Sequence, residues 1–330
     1  MYKQATQLLY RLWCEEVESS TEAQTLEIHR LALLGKDEGI AVKIASSLAE
    51  HLRNQSRFRE AIHLCKSTLE ITKNHNVLNE IACCELQMGE VDRALNYYQQ
   101  ALNLCPAEDE QELASIYHHL GILKDDKGEV DEAIALYNQS LEITERIGNV
   151  RNKATTLHQL GNIYLNKGEV DKAIALYNQS LEIDERIGDV QGKAATLHCL
   201  GNIYLNKGEV DEAITLYNQS LEITERIGYV QGKAAMLRCL GRIYADKGDV
   251  DEAIALLNLS LEINERIGNI QGKAATLYQL GILYANKGEV DEAAALLNLS
   301  LEIAERIGNI QGKAATLNFL EYLRQQRGSG

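Results

Sequence analysis

The sequence predicts an all-α protein, a right-handed α-solenoid in which antiparallel helix pairs stack into a superhelix. Three observations predict it. A unit of forty residues recurs, each unit carries two apolar stripes at helical spacing, and the 330-residue chain holds a single proline. Aligning 151–190 with 191–230 gives 32 identities in 40 positions, and the same frame continues at 111–150, 231–270 and 271–310. A fixed period of this length signals a stacked array in which each unit buries its apolar face against its neighbours.

The first helix of the unit places Leu157, Leu160, Gly161 and Tyr164 at i, i+3, i+4 and i+7, one stripe of a 3.6-residue helix. Gly168 stops it, because glycine tolerates the left-handed conformation that closes helices. Glu169 and Asp171 follow at the start of the second helix, where negative charge suits the positive end of the helix dipole. That helix carries Val170, Ala173, Ile174, Tyr177 and Leu181 on one stripe, reaches Arg186 in its last turn and ends at Gly188. Gly161 and Ala173 let the two backbones approach, with Leu160, Tyr164 and Tyr177 filling the space beside them. The link Gly188-Asp189-Val190-Gln191-Gly192-Lys193 leads into the next unit.

In chain order, residues 1–41 read as a helical hairpin or diverged first repeat. Helices are expected over 3–17 and 21–35, with Leu8, Leu9, Leu12 and Trp13 on one side of the first and Leu26, His29 and Leu33 on the second. Residues 42–108 hold two shorter units. The first has Ala49, Ala61 and Cys65 at the packing positions, and the second has Gly89, Ala94, Tyr98, Ala101 and Pro106. Five forty-residue units fill 109–310, and the change of period near Ala107-Glu110 marks a seam. The last segment, 311–330, reads as a polar capping helix over 311–326, since Glu321 and Arg324 replace the packing glycine and aromatic. Ser329-Gly330 reads as a native end or an expression scar.

Leu160, Gly161, Tyr164, Gly168, Ala173 and Tyr177 fall where the tetratricopeptide repeat (TPR) family places its leucine, glycine, aromatic, turn glycine, alanine and second aromatic. The chain therefore resembles that family over about residues 42–326. Leu157 stands in place of the family's early tryptophan, and the proline after the second helix is missing from the long units. Six extra residues, assigned to a longer second helix and link, account for the second departure. Units of this length are similar to those of the LGN/Pins and kinesin light chain type.

Composition narrows the function. The formal charge is −15 and the pI near 5.1, so a nucleic-acid partner would meet repulsion rather than counterion release. The seven cysteines have no zinc-site spacing and read as small buried side chains in a reducing compartment. The amino-terminal segment, interrupted by Arg11, Glu15 and Glu16, lacks the apolar core of a signal peptide, and no run is long enough to span a membrane. A cytoplasmic protein without membrane or nucleic-acid partners is expected.

Candidate functional residues are those that vary between otherwise near-identical units. One series runs His118, His158, His198, Arg238, Tyr278 and Asn318. A second, one turn on, runs Ile122, Asn162, Asn202, Arg242, Ile282 and Tyr322. Residues at i and i+4 share a face, and in the resembled family this face lines a concave groove that holds an extended peptide. From these series the groove is assigned to His118, His158, Asn162, His198, Asn202, Arg238, Arg242, Tyr278, Ile282 and Tyr322. The resemblance implies that Asn162 and Asn202 hold a ligand main chain, a task for which an amide offers both donor and acceptor. Arg238 and Arg242 add a fork for a carboxylate, so the expected partner is a protein or peptide that is acidic or ends in a free carboxylate.

No cofactor, metal or catalysis is expected. His118, His158 and His198 sit on successive units, about 10 Å apart by ordinary helix packing, whereas zinc holds its ligands at about 2 Å. Gly188-Asp189-Val190-Gln191-Gly192-Lys193-Ala194 resembles a phosphate loop but is one residue short, ends in Ala and follows a helix. Asn138, Asn178, Asn218, Asn258 and Asn298 match a glycosylation acceptor, but mid-helix. Glu182, Glu185 and Arg186 form a solvated outer stripe. The leading expectation is an interaction scaffold. The alternative is a spacer, sensor or self-association array belonging to a larger signalling or defence protein.

Overall fold

The computed structural model describes residues 2–15 and 20–328. They form helices joined by tight turns, with no strand among the described residues, and none of the helices is long and apolar enough to cross a membrane. The fold is all-α, built from stacked antiparallel helix pairs, the α-solenoid that the period predicts. The chain divides into two compact units, 1–167 and 168–330, each described by itself below.

Unit 1 opens with α1 (Tyr2–Tyr10), which runs into a wider π turn over Arg11–Glu15, followed by α2 (Glu22–Gly35). The last two residues of the expected helix 3–17 lie outside the described residues, as does Ser329-Gly330. The buried faces here differ from expectation. Thr6 is fully buried and its hydroxyl donates back to the Tyr2 carbonyl at 2.9 Å, while Leu8 is 57% and Leu12 39% exposed. Trp13 is half-buried. In α2 the core side is Ile28, His29, Leu31 and Ala32, and Leu26 faces out. The hairpin has no sister repeat in the sequence to set its frame, so the apolar pattern places Leu8, Leu12 and Leu26 on the wrong side, while His29 is buried as expected.

Three helix pairs follow: α3 (Glu38–Asn54) with α4 (Phe58–Leu69), α5 (His75–Gln87) with α6 (Val91–Leu104), and α7 (Glu110–Asp126) with α8 (Val130–Ile147), and α9 (Val150–Asn166) closes the unit on α7 and α8. Asp37 caps α3, accepting from the Ile40 N–H, so this helix starts at Glu38 rather than at 42. The core is one seam of small and aromatic side chains. Ala94, Tyr98 and Ala101 pack on Ile116, Leu120 and Leu123, all buried.

Unit 2 comprises α10 (Val170–Ile187), α11 (Val190–Asn206), α12 (Val210–Arg226), α13 (Val230–Lys247), α14 (Val250–Arg266), α15 (Ile270–Asn286), α16 (Val290–Arg306) and α17 (Ile310–Gly328). Helices α11 and α12, α13 and α14, and α15 and α16 form pairs. The first helices also touch one another, α13 with α15 and α15 with α17, and so make a continuous face. Close approach within a pair depends on a glycine: a Cβ on Gly201 would stand 2.9 Å from the Tyr217 ring. A buried serine adds a recurrent hydrogen bond, Ser220 to the Ala194 carbonyl at 2.9 Å and Ser260 to Ala234 at 2.8 Å.

Two expectations need correction. The link from Gly188 to Lys193 is only Gly188 and Asp189. Gly188 takes a left-handed φ of 71°, and Asp189 accepts from the Gly192 N–H at 2.9 Å, so α11 starts at Val190 and the added length is helix. The capping helix is not uniformly polar. Glu321 and Arg324 are exposed, but so are Leu317 at 42% and Ile310 at 81%. Leu317 corresponds to the buried Leu237 and Leu277, each packed on an isoleucine of the following second helix, and no helix among the described residues covers it.

Candidate functional site

The ten candidate residues do not form one kind of site. In unit 1, His118 is half-buried and already held by its neighbours. Its Nδ1 lies 2.9 Å from the Thr156 hydroxyl, its ring rests on Tyr137 with centroids 5.5 Å apart, and burial pushes its pKa down to about 3. The Thr156 hydroxyl donates to the Asn152 carbonyl, so the imidazole is the donor to it and stays neutral. His158 and Asn162 are half-buried one turn apart on α9, and Asn162 Nδ2 donates to Gln159 Oε1 at 2.9 Å.

In unit 2, His198 and Asn202 belong to a local network on α11. Asn202 accepts from the Tyr217 hydroxyl at 2.7 Å, and its amide nitrogen lies 3.2 Å from His198 Nε2, which also meets Cys239 Sγ at 3.8 Å. Burial and then the charge of Arg238 hold His198 below its ordinary pKa. The amide that the resemblance assigns to a ligand is thus already engaged through its oxygen.

The remaining candidates converge. Arg238 and Arg242 of α13 and Tyr278 and Ile282 of α15 line one cavity of about 460 Å³, which α17 completes with Ala315 and Thr316. Leu257, Ser300 and Ala304 of the second helices form its floor. Arg238 is half-buried and Arg242 exposed, and neither guanidinium forms an ion pair or hydrogen bond among the described residues. Tyr278 and Ile282 give the cavity an apolar patch, extended by Phe319, whose ring lies 6.5 Å from Tyr278 and 5.6 Å from the half-exposed Tyr322, while Asp246, Gln271, Asn286 and Asn309 bring polar groups to the same lining. Tyr322 therefore reaches the site through Phe319 rather than lining it.

Sequence comparison missed Gln279. Its Oε1 is buried at this cavity without a hydrogen-bond partner, an arrangement that costs about 1–3 kcal/mol unless something donates to it. The signal was present, since Gln279 falls in a third variable series, His119, Gln159, Cys199, Cys239, Gln279 and Phe319, one residue after the first. Chemically, the cavity offers two cations one helical turn apart, one carboxylate at Asp246 a further turn on, an unfilled acceptor and an aromatic and aliphatic patch. No nucleophile and base pair faces it.

The tetratricopeptide repeat family model matches residues 112–186, 192–266 and 232–306, and a second model of the same repeat matches 76–108. The chain belongs to the tetratricopeptide repeat family. TPR arrays generally mediate protein–protein interaction and are generally non-catalytic. Among solved structures, the TPR chain is similar to a signal transduction ATPase with numerous domains that carries a tetratricopeptide repeat sensor, PH0952 from Pyrococcus horikoshii. That match has 18% identity and a TM-score of 0.73, covering 99% of this chain and 49% of that one. A Rap protein complexed with Competence and Sporulation Factor matches at 14% identity and a TM-score of 0.62, over 99% of this chain and 96% of the other. BtubC (BKLC) from P. vanneervenii matches at 20% identity and a TM-score of 0.55, over 68% and 92%. At these identities the likeness is one of fold. No curated protein matches the sequence.

Proposed function

We propose that this TPR chain is a non-enzymatic scaffold that binds a segment of another protein, and that the cavity between α13, α15 and α17 holds that segment's carboxylate. The observation that carries the reading is the pair Arg238 and Arg242, one turn apart and without a salt-bridge partner, beside a buried acceptor and an apolar patch. Two guanidinium groups suit a carboxylate. The Gln279 oxygen suits a backbone N–H one residue further in, and Tyr278 and Ile282 suit an apolar side chain. A segment that ends in an apolar residue with a free carboxylate meets all three demands. The seven free cysteines fit a reducing, cytoplasmic setting.

Selection from a display library of random peptides with free carboxyl termini, run against wild type and Arg238→Ala/Arg242→Ala, tests this. Wild type should enrich peptides ending in apolar residues, and the variant should not. Enrichment by neither, with the chain self-associating in sedimentation, would overturn the reading in favour of a spacer or self-association array.

A further inference from the structure

The seam between the short and long repeats brings together three groups that the sequence keeps thirty residues apart. His75 opens α5, Cys105 follows the last residue of α6, and Asp109 caps α7. His75 Nε2 lies 2.9 Å from Asp109 Oδ2, and one ligand atom from each of the three residues lies within 4.8 Å of the other two. The tight turn Cys105-Pro106-Ala107-Glu108-Asp109 makes this possible: the Asp109 N–H donates to the Pro106 carbonyl at 3.0 Å, folding the cap residue back beside the thiol. Asp109 Oδ1 accepts from the Glu112 N–H, leaving Oδ2 for His75.

We propose that His75, Cys105 and Asp109 form a Zn²⁺ site in unit 1. A thiolate, an imidazole and a carboxylate are the ligand types of tetrahedral zinc, whose bonds of about 2.0–2.3 Å place ligand atoms about 3.3–3.8 Å apart. The present separations bracket that range, so shifts of about 1 Å complete the geometry. His75 is 12% and Asp109 36% exposed at the side chain, which leaves an entry path and a fourth position for water. Zinc binding transfers the Cys105 thiol proton to solvent and ties the start of α5 to the α6–α7 turn.

This site is invisible in the sequence, because a His with a Cys thirty positions on and an Asp four beyond that matches no zinc motif. The plain rival is a histidine–aspartate pair that happens to lie beside a thiol. Titration of the tagless, reduced, metal-free chain with Co²⁺ separates the two. The proposal expects a thiolate-to-cobalt charge-transfer band that saturates at one ion per chain and is reversed by Zn²⁺. It expects the band to vanish in Cys105→Ser, to survive in Cys14→Ser, and to need more than about tenfold higher Co²⁺ in His75→Gln and Asp109→Asn. No band with folded wild type, or a band retained in Cys105→Ser, overturns it. The wild-type arm is decisive even where a variant fails to fold.

Discussion

At the residue scale, the repeat is held by a few contacts whose strength can be checked singly. Gly201 is a packing glycine: an added methyl would meet the buried Tyr217 ring at 2.9 Å, so ring or backbone would have to shift. Alanine would gain about 1 kcal/mol of helix propensity, but overpacking costs about 1–3 kcal/mol. Gly201→Ala should therefore lower unfolding stability by up to about 2 kcal/mol in a denaturant titration, and a stabilised variant would contradict this packing. His118 makes a pH-dependent prediction. Its folded pKa of about 3 lies below its ordinary 6.5, so the unfolded chain takes up a proton first as pH falls. His118 thus costs stability as pH drops below 6.5. His29, pushed down to about 4, has the same sign. Glu112, raised to about 7 by burial, has the opposite one, because the folded form then holds the extra proton. Replacing His118 by Gln, which keeps a donor toward Thr156, should flatten the loss by up to about 1.4 kcal/mol per pH unit below 6.5. Equal slopes in both proteins would contradict the buried neutral imidazole.

Element boundaries were legible where a cap and a period agreed, and not elsewhere. Gly168, Gly208 and Gly248 all adopt positive φ where the pattern ends the first helices. The sequence assigns Gly188 to Lys193 to the link. The structure shows Gly192 inside α11, pressed close to the Asp184 carboxylate and donating its N–H to the Asp189 cap. Removing that cap with Asp189→Ala should cost about 1 kcal/mol, measured by chemical unfolding, whereas an unchanged midpoint would mean that α11 is fixed by packing alone. The buried serines escaped notice for a related reason. A hydroxyl at Ser220 looks polar in a stripe analysis, yet it bridges to the neighbouring helix carbonyl rather than to water. The amino-terminal hairpin was misread most, since no sister repeat supplied a register against which to check Leu8 and Leu26.

At the scale of the whole molecule, period and composition disclosed the fold, because a solenoid restates the same packing problem in every unit and a single solution is visible many times over. The site was half legible for the same reason. Variation against a constant background picked out Arg238, Arg242, Tyr278 and Ile282, which one cavity of unit 2 unites. Yet variation between repeats does not distinguish a side chain that faces a ligand from one already held by its neighbours, as His118 and Asn202 are. Nor could it see Gln279, whose importance lies in a missing partner rather than in its type. The seam at Cys105 to Asp109 was visible as a change of period but not as a cluster, since only folding brings His75 to it.

We propose that Arg238 and Arg242 hold a terminal carboxylate, and a calorimetric double-mutant cycle measures that contact itself. One selected peptide would be titrated, as free acid and as carboxamide, into wild type and into Arg238→Ala/Arg242→Ala. Either change alone should weaken binding at least about tenfold, or about 1.4 kcal/mol, and both together should cost no more than one, because each removes the same contact. Losses that simply add would contradict it and place the carboxylate elsewhere.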